Sequence, residues 1–196
     1  MKIPRTLAVM TLPGAVLFPG AMLPLYVFEA RYRRMLADVL AGDRMFAIGL
    51  HRVVDEEAEV CAVGGCGLVR ACVTRPDGTS RLVLQGMERV RFREWLSGNP
   101  YPLAEVEPLP SECSTPLLAE SLRANVRLLC EDLLTNDIRA LAQLLDSADD
   151  PAEFSDLVGA SFVNDSTMRQ SLLEETDATR RLEMLLTHLA TRNTSN

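Results

Sequence analysis

The sequence predicts an α+β chain, with a β-rich part over residues 1–110 and a helical bundle over residues 111–196. Three observations carry this reading. Apolar and polar side chains alternate with a period of two in the first part, as at Arg89-Val90-Arg91-Phe92-Arg93. Pro100, Pro102, Pro108, Pro110 and Pro116 then crowd a short transition. After it the apolar period becomes helical, with Leu118, Leu122, Val126, Leu129 and Leu133 on one face. At 196 residues and 47% hydrophobic, the chain can bury a core. A chain of this size buries roughly 70% of its unfolded surface.

The elements follow in order. Thr6–Met10 is a short apolar strand, Leu12–Gly14 a turn, and Val16–Phe18 and Met22–Phe28 two further extended runs. Pro13, Pro19 and Pro24 remove backbone donors and restrict the residues before them, so they mark turns and strand edges. At Glu29 the period changes: Tyr32, Met35, Leu36, Val39 and Leu40 fall at helical spacing, and Gly42 is a stop signal. Met45–Leu50 reads as a strand, 55–59 as an acidic loop, and Gly64-Gly65-Cys66-Gly67 as a turn or bulge. Val69–Val73 and Leu82–Gln85 form a hairpin around Arg75-Pro76-Asp77-Gly78, where Pro presets φ and Gly accepts positive φ. Arg89–Arg93 and Ala104–Glu107 are two further strands.

The helical part starts at Pro116, capped by Ser114 or Thr115. A second helix covers roughly 138–146. Asp150-Pro151-Ala152-Glu153 combines a cap, a Pro at the first helical position and an acid in the first turn, opening a helix to about Phe162. Short helical turns over Thr167–Glu174 precede a last helix from Ala178 to Thr191, capped by Asp177.

Charge is unevenly placed. Residues 1–110 hold 13 basic against 12 acidic side chains, and residues 111–196 hold 7 against 15. The net charge of -7 argues against nucleic acid as a partner. No run of about 18 apolar residues offers a membrane span. The N-terminus has the charged start and apolar stretch of a secretory signal, but Pro13, Gly14, Pro19 and Gly20 interrupt it, and we read it as mature structure. Cys61, Cys66, Cys72, Cys113 and Cys130 are odd in number and fall in strand or helix patterns, which points to reduced packing thiols and a cytoplasmic protein.

Three separated segments, in order, carry a family resemblance. The first is Leu12-Pro13, Val16-Leu17-Phe18-Pro19-Gly20, Leu23-Pro24-Leu25, Phe28-Glu29 and Arg31-Tyr32. The second is Arg75-Pro76-Asp77-Gly78-Thr79 with Val83-Leu84-Gln85-Gly86-Met87-Glu88-Arg89. The third is Asp149-Asp150-Pro151 with Leu172-Leu173-Glu174 and Arg181-Leu182. Together they resemble the N-terminal, substrate-binding domain of Lon proteases. The resemblance implies a small pseudo-barrel-like β-domain of six or so strands with one helix, then a helical bundle. It also implies a non-enzymatic role in recognising unfolded or exposed polypeptide segments, or a protease or chaperone partner. The chain has no G-x-x-x-x-G-K-[ST] phosphate loop, and Lys2 is its only lysine. We therefore expect a stand-alone binding domain, without ATPase or Ser-Lys peptidase activity.

The expected contact residues are Tyr26, Phe28, Arg31, Tyr32, Arg34, Arg89, Arg91 and Arg93. Tyr26, Phe28 and Tyr32 end the proline-punctuated run, which supplies either core or an apolar groove for polypeptide. Arg31 and Arg34 fall between the apolar positions of the first helix. Arg89, Arg91 and Arg93 alternate along one strand, as a solvated face pairing with Glu105 and Glu107 or as a surface for acidic polypeptide. Cysteine spacing with His51 nearby lacks the close pairs of a zinc site. A Cys–His nucleophile would need an orienting group and an oxyanion site, which no motif supplies. We expect no metal, cofactor or catalytic residue. The alternative function is a small-molecule-binding regulatory module with a pocket between the β part and the bundle.

Overall fold

The computed structural model describes residues 2–54, 57–133 and 139–193. It divides into two compact units, Met1–Leu109 and Pro110–Asn196.

The first unit contains β1 (Thr6–Pro13), β2 (Met22–Val27), α1 (Ala30–Ala41), β3 (Met45–Val54), β4 (Glu57–Val60), β5 (Val63–Thr74), β6 (Ser80–Leu96) and β7 (Leu103–Leu109). The strands run in the order β1-β7-β6-β5-β3-β4, and a parallel pairing of β1 with β3 closes β1, β7, β6, β5 and β3 into a ring of five. β4 hangs on β3, and β2 pairs with β6 alone. The pseudo-barrel and its single helix are as the resemblance implied, with seven strands.

Both sides of the sheet are packed. Leu7, Val9, Met45, Ala47, Cys66, Val90, Phe92, Ala104 and Val106, all from ring strands, form one apolar cluster. A second cluster joins the other side of the sheet to α1 through Phe46, Ile48, Leu82, Leu84, Tyr32, Met35 and Leu36.

Several expected elements are longer than their local pattern. β1 runs on through Pro13, and Val16–Phe18 is a buried strap outside any strand. Leu82–Gln85 and Arg89–Arg93 belong to one 17-residue strand, β6. Ala58 and Glu59 lie in β4, which corrects the acidic-loop reading; Asp55 and Glu56 lie outside the described residues. Gly64–Gly67 is strand and not a turn, although a register shift falls between Cys66 and Gly67. The strap explains these glycines. A Cβ on Gly65 would fall 1.9 Å from the Leu17 carbonyl oxygen, and one on Gly86 would fall 1.9 Å from that of Phe18. Glycine is what lets this backbone lie directly on the sheet.

The second unit contains α2 (Pro116–Leu133), α3 (Arg139–Ser147), α4 (Pro151–Phe162), α5 (Ser166–Glu174) and α6 (Ala178–Asn193). Ile138, expected to start α3, lies outside the described residues. The Asp150 carboxylate accepts from the N–H of Ala152 at 2.6 Å and of Glu153 at 3.3 Å, so the cap forms as its sequence indicates. The short turns expected over Thr167–Glu174 belong to a full nine-residue helix, Ser166–Glu174. The buried face of α2 is Ala119, Leu122, Val126 and Cys130, whereas Leu118 is exposed. Arg181 is fully buried. It donates to Ser155 Oγ and to the Glu175 and Thr176 carbonyls at 2.9 Å, and lies 3.5 Å from Asp156. Asp177 accepts from the N–H of Thr179 at 3.0 Å and from the hydroxyl of Ser114 at 2.5 Å. Burial pushes its carboxyl upward, and these hydrogen bonds outweigh that and hold it below the ordinary carboxylate range.

Candidate functional site

β2 presents its side chains by strict alternation. Leu23 and Leu25 pack on the core and Val27 is buried, while Met22, Pro24 and Tyr26 face outward. Antiparallel pairing puts Tyr26 opposite Arg81, and Arg81 opposite Val73. The next row is Pro24, Val83 and Ala71. An open cavity of about 600 Å³ lies along these rows, bounded by Pro24, Tyr26, Cys72, Val73, Arg81 and Val83 among others.

The exposed side chains here are large and apolar. Tyr26 is 51% exposed, Phe28 60% and Val73 68%, with Met22 similar. The Tyr26 and Phe28 rings stack with centroids 5.8 Å apart. Phe28 stays out because β2 ends at Val27 and α1 starts just after Glu29, leaving a bridging residue on neither element's buried face.

The neighbouring rim is cationic. Residues 29–41 and 75–80 carry Arg31, Arg33, Arg34 and Arg75 against Glu29, Asp38 and Asp77. Arg31 donates to Glu29 at 2.9 Å and lies over the Tyr32 ring, 4.6 Å from its centroid. Arg34 donates to Asp38 at 3.2 Å. Arg33 rests on the β5–β6 turn, where Gly78 has φ of 80° and a Cβ would meet the guanidinium at 1.8 Å. The Thr79 backbone N–H and hydroxyl, with help from Arg75 and Arg33, hold the Asp77 carboxyl below its usual range against a small desolvation cost. A second cavity of about 520 Å³ lies between α1 and this turn, bounded by Arg33, Arg34, Thr74 and Ser80 among others.

The eight expected contact residues separate. Tyr26, Phe28, Arg31 and Arg34 are exposed on or beside this face. Tyr32 is not: it is buried in the α1 core, where its hydroxyl accepts from the Thr11 N–H at 3.1 Å and donates to the Thr11 carbonyl at 3.2 Å. Arg89 is only 1% exposed, opposite Gly65 of β5. The ridge of three arginines therefore does not exist. Arg91 is half-buried, and Arg93 is exposed and ion-paired with Glu107. Sequence reasoning passed over Val73 and Arg81. Their signal was the hairpin, whose two-residue alternation puts both on the face of Ala71 and Val83.

The cysteines are free thiols. Burial, with Glu88 adding, pushes Cys66 up to about 12, and burial with Glu131 does the same for Cys130. Such thiols stay protonated and are poor nucleophiles. Among the described residues no group of three or more His, Cys, Asp or Glu is placed to hold a metal, and no helix is long and apolar enough to cross a membrane.

Residues 6–191 match the family model described as the ATP-dependent protease La (Lon) substrate-binding domain, not a peptidase or an ATPase. A Lon protease of Koribacter versatilis is 31% identical over 95% of the chain, and one of Dictyoglomus thermophilum 24% identical over 95%. The chain spans about a quarter of the length of these relatives, 24% in each case. Among solved structures, the N-terminal domain of the Mycobacterium avium complex Lon protease has the same fold, with a TM-score of 0.77 at 21% identity, covering 94% of this chain and 98% of that one. A Lon N-terminal domain protein from Xanthomonas campestris gives 0.65 at 26% identity, covering 93% and 97%. Fold, motifs and family match agree, and the chain belongs to the Lon substrate-binding domain family.

Proposed function

We propose that this chain binds other polypeptides, holding extended apolar segments on the outer face of β2, β6 and β5, and performs no chemistry of its own. One observation carries the reading: exposed Tyr26 and Val73 line a cavity of about 600 Å³, exposed Phe28 stacks on Tyr26, and exposed Met22 stands on the same face of β2. A contiguous apolar surface with a charged rim is what a protein-binding face requires. Two aromatic side chains with few rotamers give large contact area at low entropic cost. β2 also leaves one edge unpaired by any described strand, but Pro24 removes a donor from β2, so side chains and not a full ladder supply most of the affinity. The same reading sets it beside proteolysis or chaperone work, acting in trans in the cytoplasm; the family match supports the link to proteolysis.

Fluorescence anisotropy with a labelled, permanently unfolded polypeptide tests this. Wild type binds with Kd of about 1–100 μM. The Tyr26→Ser/Phe28→Ser double variant loses about tenfold or more with its melting temperature unchanged. Equal affinity of the two proteins overturns the proposal.

A further inference from the structure

We infer that the segment bound on this face carries an acidic side chain, and that Arg81 receives it; the assignment rests on the polypeptide-binding reading above. Arg81 occupies the middle of the row Tyr26–Arg81–Val73, so its cross-strand neighbours on both sides are exposed and apolar. It lines the cavity of about 600 Å³ and is itself exposed. Three exposed arginines of the same unit are already ion-paired: Arg31 with Glu29, Arg34 with Asp38, Arg93 with Glu107. Arg81 has neither an ion pair nor a hydrogen bond from its side chain among the described residues.

The consequence is one of desolvation. An apolar segment laid across Tyr26 and Val73 covers the guanidinium between them and strips part of its water. A neutral segment leaves that charge uncompensated. A carboxylate at the same register gives a charge-assisted, bidentate pair, in surroundings drier than open surface. The face thus discriminates among apolar segments by sign of charge, and basic ones are refused most strongly.

Three C-terminally amidated peptides of one apolar sequence, differing only in a central Glu, Gln or Lys, form the test. On wild type the Glu peptide binds roughly tenfold tighter than the Gln peptide, and the Lys peptide binds weakest. The preference narrows as salt rises. Arg81→Gln removes the Glu preference, and Arg81→Glu transfers it to the Lys peptide, with melting temperatures unchanged. Equal binding of Glu and Gln peptides by wild type, or a preference that survives Arg81→Gln, overturns the assignment while leaving apolar binding intact. A Gln peptide with a free C-terminus that matches the Glu peptide moves the anion to a chain end and overturns it too. Failure of all three peptides to bind overturns both readings.

Discussion

The inner and outer faces of the β2–β6–β5 sheet are both apolar, yet only one is covered. On the inner face Leu23, Leu25, Leu82 and Leu84 pack with Leu17 of the strap and with Tyr32, Met35 and Leu36 of α1. On the outer face Tyr26 and Val73, with Arg81 between them, have no cover from the unit that carries them. The difference teaches that hydrophobicity along a strand does not assign its role. What lies over the face does. Inner side chains should therefore govern folding, and outer side chains should govern binding.

The largest break in this comparison comes from the inner face. Leu84 is fully buried, and Leu84→Ala should cost about 2–5 kcal/mol in urea unfolding, with polypeptide affinity unchanged in the fraction that stays folded. Next is the seat of the strap. Gly86→Ala places a methyl group against the Phe18 carbonyl and should cost about 1–3 kcal/mol, because backbone cannot yield as a side-chain tip can. A loss below about 0.5 kcal/mol at Gly86 would mean the strap does not press on the sheet.

The gentlest test uses thiols already present. Cys72 is only partly buried at the margin of the inner cluster, whereas Cys66 is fully buried in the ring core. At pH 8 a thiol reagent should modify Cys72 in the native protein while Cys66 stays silent, and polypeptide bound on the outer face should leave the Cys72 rate unchanged. The pH dependence has a definite sign. Cys66 is raised from 9.0 to about 12 in the fold, so its contribution to stability is intact below about pH 9. It is lost as pH climbs from there toward 12, because the unfolded chain releases the proton first.

Local signals were legible in the sequence. The Arg75-Pro76-Asp77-Gly78 turn, the Asp150 cap and the switch to helix at Glu29 rest on neighbours in the chain, and each forms as its chemistry dictates. Tertiary consequences were not. Period-two alternation gives faces, but Val63–Gly67 is buried throughout because β5 is covered on both sides. Arg89 alternates like a surface residue yet is fully buried. No local pattern foretells the parallel pairing of β1 with β3, which joins residues about forty apart. Arg181 reads as an ordinary helical arginine until Ser155, Asp156 and the Glu175–Thr176 carbonyls surround it. Of the contact set, Tyr26 and Phe28 were readable from the run they end, while Arg81 needed the register of three strands.

Amide hydrogen exchange, with and without a bound unfolded polypeptide, tests the central claim most directly. The account predicts added protection concentrated in β2, the β5–β6 hairpin and the Phe28–Arg31 junction, with α2–α6 unchanged. Protection confined to α2–α6, with β2 and the hairpin unaffected, would contradict it.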